Sequence, residues 1–372
     1  MSGADHGGLP AAWRVPLLML GFIALLVGTG AGLARLGWAM PALAVSAVPL
    51  HGPLMIGAFF GTVISLERAV AIGRGWAYIG PLLAGAGGIA AMVGALAAGI
   101  ALLLAASALL LAASINVWRR QRALFTFTLA LGAACWAAGN ALWLAGGTVQ
   151  GSVPWWLGFL ILTIAGERLE LSRFLPPSPL ATRAFAALLV LIVGGPLLST
   201  HSPWGMQLFA AGLLALAAWL FKQDIARRTV RGRGLTRFIA VCLLAGYAWL
   251  AIGSAVMLAP GGLVPGSAAY DAALHAIALG FVFSMVFGHA PIIFPAVLRV
   301  AMPYHPSFYA PLALLHGSLA LRLAGDAWGW ADGLRVGALL NALALAAFVV
   351  STSSAVLRGR RNSGPGRPGV PP

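Results

Sequence analysis

Charge is what this chain has least of. Only 8% of its 372 residues are Asp, Glu, Lys or Arg, while 60% are hydrophobic, and a soluble domain does not stay in water with so little surface charge. Acidic groups are the scarcest, at 8 against 23 basic residues, for a net charge of +15. In a soluble protein that excess would point to nucleic acid. In a chain this apolar its simpler source is basic residues in cytoplasmic loops, and no nucleic-acid partner is expected. Cysteine is equally thin: Cys135 and Cys242 each lie inside an apolar run, without CxxC or metal-type spacing. That excludes a disulfide framework and a zinc site and leaves both as small core residues. The opening MSGADHGGLPAAWR lacks the basic n-region, short apolar core and cleavage site of a signal peptide. The first span is therefore expected to stay as a helix behind a cytoplasmic tail at 1–13.

Long apolar runs are what the chain has instead. Between polar breaks they number twelve, at 14–37, 42–66, 77–98, 99–117, 124–146, 152–172, 184–200, 203–222, 237–259, 268–298, 308–324 and 333–357, at lengths suited to a bilayer. With both termini placed inside, twenty of the 23 basic residues fall on the cytoplasmic side, and only Arg35, Arg322 and Arg335 fall outside. One span more or fewer would scramble that asymmetry. The expected fold is all-α and polytopic: one domain of twelve transmembrane helices over 14–357, in the cell inner membrane with the lipid bilayer as its surroundings. The Gly- and Pro-rich end, 358–372, reads as a disordered cytoplasmic tail. The basic segment 222–237 reads as a topology anchor beside anionic lipid, with protein docking as the other reading. Gly57 and Gly61 in span 2, and Ala91, Ala95 and Gly99 further on, have the four-residue spacing of close helix packing. Spans 2, 6 and 10 share a weak internal repeat, ISLERAV, IAGERLEL and MVFGHAPI, in which Glu67, Glu167 and His289 fall at the matching place.

Within these spans the histidines are the unusual residues. Imidazole in lipid is costly unless it has a partner, so it marks a candidate site. His275 and His289 are 14 residues apart in span 10; at about 100° per residue they share one face, about 21 Å apart along the axis. His51 stands about 14 Å into span 2 and His275 about 11 Å into span 10 from the same side. Two histidines at one depth on two helices supply both axial nitrogens of a b-type haem. Met55, one turn below His51, and Leu279, one turn below His275, would line its inner edge. Its propionates would need cations at the outer surface, for which Arg35, Arg322 and Arg335 are the candidates. The plainer reading of each histidine is a packed residue hydrogen-bonded to a neighbouring helix carbonyl.

These residues carry a family resemblance. Span 2, with His51-Gly52-x-x-Met55, and span 10, with His275 followed by Phe283-Ser284-Met285 and Phe294-Pro295, resemble spans 2 and 10 of subunit I of the haem-copper oxidases. They look more like the related NnrS family of twelve-span membrane proteins, which contain haem and copper and are linked to nitric oxide metabolism. The resemblance covers the span count, the topology and those two helices. It implies a bundle of three four-helix units with a low-spin haem held by His51 and His275 near the outer face. The departures are specific. Ala273 stands where an oxidase has the histidine of its high-spin haem, and 152–200 contains no histidine for copper, so a complete oxygen-reduction site is not expected. The GHxGR-like sequence of the NnrS group is here Gly288-His289-Ala290-Pro291-Ile292, matching in two residues.

His289 and His316 lie at similar depths from the inner side. They form a candidate second site for copper or a second haem, against a structural His289 hydrogen-bonded where Pro291 breaks its helix. Glu67-Arg68 and Glu167-Arg168 read as interfacial carboxylates paired with nearby arginines, or as a proton entry. The functional expectation is an integral membrane haem b protein in electron transfer or in nitric-oxide-related redox or stress function, with an electron-donor protein or quinone as partner. Two alternatives use the same residues: a transporter of a metal ion or small solute along His275, His289 and His316, and a haem or copper assembly factor.

Overall fold

The computed structural model describes residues 8–172 and 178–362, and among them there is no strand. In hydrocarbon every backbone N–H and C=O must be satisfied within its own segment, so apolar runs of this length have the helix as their solution. The long helices are α1 (Ala11–Arg35), α2 (Pro53–Ile72), α3 (Gly75–Met92), α4 (Leu96–Arg120), α5 (Leu124–Leu144) and α6 (Val149–Ser172). They continue with α7 (Pro179–Leu198), α8 (Trp204–Gln223), α9 (Gly234–Leu258), α10 (Ala268–Leu298), α11 (Tyr309–Trp328) and α12 (Ala331–Asn362). All except α11, 11 in number among the described residues, are long and apolar enough to cross a membrane. The chain is an all-α, polytopic membrane protein. The eleventh expected span corresponds to α11, which has comparable length, 20 residues, but carries His316, Arg322 and Asp326.

Three sequence boundaries move. The run 42–66 is not one helix: Ala42–Ser46 is a separate short helix, Val48–Leu50 a 3-10 turn, and the long helix starts only at Pro53. Pro49 and Pro53 explain this, since proline lacks an N–H and restricts the residue before it. At its other end α2 runs through Glu67 and Arg68 to Ile72, where Gly73 adopts φ 67° and closes the helix. At the C-terminus, 358–362 continues α12 instead of belonging to a tail, because Arg358, Arg360 and Arg361 are good helix formers that outweigh Gly359 at the end of an apolar helix. The rest of that tail, from 363, lies outside the described residues, as do residues 1–7 and Arg173.

Burial sorts the helices. The apolar windows of α6 and α10 are 72% and 67% buried, against 33% for α7 and α12, so α6 and α10 form the centre and α7 and α12 the rim. The small residues permit close approach as expected: a Cβ on Gly99 would lie 2.8 Å from the Gly87 carbonyl oxygen, and one on Gly61 would run into the Trp136 ring. Arg14, counted from sequence as a loop cation, is buried; its Nη1 donates to the Val297 carbonyl at 2.8 Å and ties α1 to the end of α10.

A buried polar knot joins α4, α5 and α6. Asn140 Nδ2 donates to the Leu103 carbonyl (3.1 Å) and to Ser107 Oγ (3.3 Å), and Asn140 Oδ1 accepts from Trp156 Nε1 (3.0 Å). Asn140 and Trp156 are fully buried. Asn140→Ala would leave the indole N–H without an acceptor, an expected cost of about 1–3 kcal/mol. A fall in thermal midpoint relative to wild type in the same detergent is the measurement.

Candidate functional site: a two-histidine cavity

α2 and α10 share a feature that no other described helix has. Pro53–Phe60 in α2 and Ala276–Phe283 in α10 are π-helical, eight residues each. One begins two residues after His51 and the other directly after His275. π segments are rare because their bonding geometry is poor, and they concentrate at functional sites. Here they widen both helices just below the imidazoles.

Each ring has a built seat. The His51 ring lies against α1, with Nδ1 2.7 Å from the Gly28 carbonyl. A Cβ on Gly32 would stand 2.9 Å from His51 Cε1, and one on Gly28 would stand 3.0 Å from Met55 Sδ. Two glycines one turn apart thus make the slot in α1 that receives His51 and Met55. α10 starts at Ser267, whose Oγ accepts the Tyr270 N–H as an N-cap, and this sets Asp271 in the first turn. His275 Nδ1 is 2.8 Å from the Asp271 carbonyl and 3.3 Å from its carboxylate oxygen Oδ2. That carboxylate accepts from Arg322 Nη2 at 2.8 Å. A carbonyl can only accept, so Nδ1 carries the proton on both rings, and a neutral imidazole then has its lone pair on Nε2. This is the tautomer of a metal-bound histidine with its outer nitrogen hydrogen-bonded.

The two rings stand with centroids 6.2 Å apart and planes 20° from parallel. Level depth, inferred from sequence, is therefore what the fold delivers. Rings this close can both reach one group bound between their helices. Both rings line one cavity of about 580 Å³, within the roughly 300–1,000 Å³ range of cofactor pockets. Met55, Leu279 and Phe283 form part of its apolar wall, and α1, α2, α6, α10, α11 and α12 all contribute to it. The repeat-related spans 2, 6 and 10 thus meet here. Arg35 and Arg322 are in the lining; Arg35 is exposed, Arg322 is 7% exposed, and Arg322 Nε has no hydrogen-bond partner.

Other sequence-selected residues lie apart from this cavity. Arg335 donates from Nη2 to the Gly37 carbonyl (3.3 Å) and sits over the Trp38 ring, outside the cavity lining. His289 also lies outside the lining, with Nδ1 2.7 Å from the Met285 carbonyl. The same-face relation to His275 assumed α geometry throughout; the i→i+5 bonding of 276–283 turns each residue through less than 100°, so the later residues rotate away. Its bond is not to the Phe287 carbonyl, which is the one Pro291 frees. His316 Nδ1 accepts from Trp249 Nε1 at 2.8 Å, a partner on α9 and not His289, and its Nε2 is buried without a partner. Among the described residues no group of three or more His, Cys, Asp or Glu could hold a metal ion. Arg168 faces Asp224, with Nε 3.7 Å from Oδ2, so its ion pair is to a loop carboxylate distant in sequence.

Sequence reading missed Gly28, Gly32 and Asp271. Asp271 was findable: it is the only acidic residue in 268–298 and lies one turn before a histidine. The two glycines had no such signal, since α1 contains other glycines at similar spacings.

A family described as a domain of unknown function (DUF8744) matches residues 14–357. Neither the curated proteins nor the solved structures give a match.

Proposed function

The chain belongs to the DUF8744 family, and we propose that it is an integral membrane haem b protein whose iron is held by His51 and His275. One observation carries this reading: two imidazoles 6.2 Å apart and nearly parallel, each with its Nδ1 proton committed to a carbonyl. The haem supplies reversible one-electron chemistry when bound. His51 and His275 would be its axial ligands through Nε2. Gly28, Gly32 and Asp271 orient the rings, and Met55, Leu279 and Phe283, as part of the apolar wall, would keep water from the bound group. Arg35 and Arg322 suit the propionates, being the two guanidinium groups in the cavity wall. Two protein ligands leave no open coordination position, which favours electron relay over gas activation at this iron. The nitric oxide link rests on the likeness to the NnrS family, whereas the twelve-span topology with both termini inside rests on the apolar runs and the distribution of basic residues.

The test is the purified protein in detergent. The expected result is a red protein with about one haem b per chain and a low-spin, six-coordinate optical and paramagnetic signature in both redox states. A colourless preparation from haem-replete cells that also fails to take up added haemin would end the reading, and metal-dependent stability in that preparation would turn attention to transport.

A further inference from the structure

Away from the haem cavity, α8 and α9 enclose a groove of about 730 Å³ on the outside of the bundle. Its floor is made of small residues, Ala211, Ala215 and Ala218 on α8 and Ala248 and Ala251 on α9, with larger neighbours such as Phe221 and Leu258 beside them. From Ala211 to Lys222 it runs about 16 Å along the helix. At one end stand two exposed cations, Lys222 and Arg227. Lys222 is the only lysine in the chain. Among the described residues neither cation has a hydrogen-bonding or ion-pair partner.

Their position is built. Asp224, between them in sequence and 8% exposed, accepts the Ala226 N–H on Oδ1 (2.7 Å) and the Tyr247 hydroxyl on Oδ2 (2.6 Å), and faces Arg168. These bonds fix the turn that leaves α8, so Lys222 and Arg227 stay at the groove's mouth while the carboxylate is turned into the protein. The acid that could have neutralised the two cations is therefore consumed in holding them.

We propose that this groove binds one anionic glycerophospholipid, with an acyl chain along the alanine floor and the phosphate between Lys222 and Arg227. Charge complementarity selects the occupant: an apolar trough closed by two unpaired cations fits a chain ending in a phosphodiester, and the positive-inside asymmetry puts this end at the leaflet surface where anionic lipid draws basic residues. The inference is independent of the haem reading.

The experiment uses the full-length protein in detergent, stripped of lipid and titrated with phosphatidylglycerol, phosphatidylcholine or glycerol phosphate, with retention read by native mass spectrometry and stability by thermal midpoint. The expected result is one phosphatidylglycerol retained in preference to phosphatidylcholine, and no effect of glycerol phosphate. Lys222→Gln or Arg227→Gln should each weaken phosphatidylglycerol retention roughly fivefold, and the double variant roughly thirtyfold. Ala215→Phe, a change on the lipid-facing surface, should block the trough with both cations present. Three outcomes would overturn the proposal: equal retention of the two lipids, an equal loss in Arg231→Gln/Arg233→Gln on the same loop, or full retention in Ala215→Phe. The haem spectrum should be the same in all these variants, so the two proposals fail separately.

Discussion

Replacing either His51 or His275 with alanine is expected to abolish the six-coordinate b-type spectrum. In the proposed arrangement each ring would provide one of the two protein ligands. Its loss would remove one of the two nitrogens proposed to hold the iron, and among Leu279, Phe283 and Met55 beside it only the Met55 thioether could stand in, as a weaker ligand. Single variants should retain haem weakly in a high-spin form or lose it on purification, and the double variant should be colourless. The structural consequence is smaller. His51→Ala frees the Gly28 carbonyl from one hydrogen bond, an expected cost of about 1–3 kcal/mol, so the variant should still elute as a single species with wild-type helicity. His289→Ala and His316→Ala provide the contrast: both histidines are within long helices and both are hydrogen-bonded, but neither lines the cavity. Their haem spectra should be unchanged. Haem lost equally from all four variants would mean that the spectrum reports general destabilisation and not ligation. A wild-type spectrum in both His51→Ala and His275→Ala would remove this cavity as the haem site.

The second large effect is expected at Asp271, which touches no iron in the proposed arrangement. Its carboxylate lies 3.3 Å from His275 Nδ1 and 2.8 Å from Arg322 Nη2, so one negative charge supports a ligand and offsets a buried cation. Asp271→Asn is nearly the same shape and keeps the backbone carbonyl that accepts from His275. It removes the charge alone. Haem affinity is expected to fall by about 10–100-fold, the usual scale for a group that orients a metal ligand. The reduction potential should rise, because an anion beside the axial imidazole favours the ferric state and its removal favours the ferrous state. Stability should fall as well, since Arg322 loses the carboxylate that its Nη2 donates to. An equilibrium redox titration separates the two roles: a purely structural Asp271 would change haem content and thermal midpoint but not the midpoint potential of the haem that remains. An unchanged or lowered potential in Asp271→Asn would refute the electrostatic role. Arg322→Lys keeps the positive charge and gives a second check, with the potential staying near the wild-type value.

The sequence by itself determined the class of protein and the helices. Apolar length and the scarcity of charge are sums over local residues, and lipid admits one solution to them, so the runs at 124–146, 203–222 and 268–298 are helices within a residue or two of their expected limits. The depth of His275 was legible for the same reason, but that of His51 was not, since 42–50 is no continuous helix and only the fold brings the two rings level. Rotation about the helix axis was not legible. It accumulates residue by residue, and the π segments after each histidine shift everything beyond them, which is why His275 meets His51 while His289 turns elsewhere. Nor could the sequence say that Gly28 would serve as the carbonyl behind His51, or that Arg322 would reach Asp271 from 51 positions away. Those pairings depend on which faces of α1, α10 and α11 are brought together. In a membrane such faces are selected by shape and by a few polar bonds, because apolar surface packs as readily on lipid as on another helix.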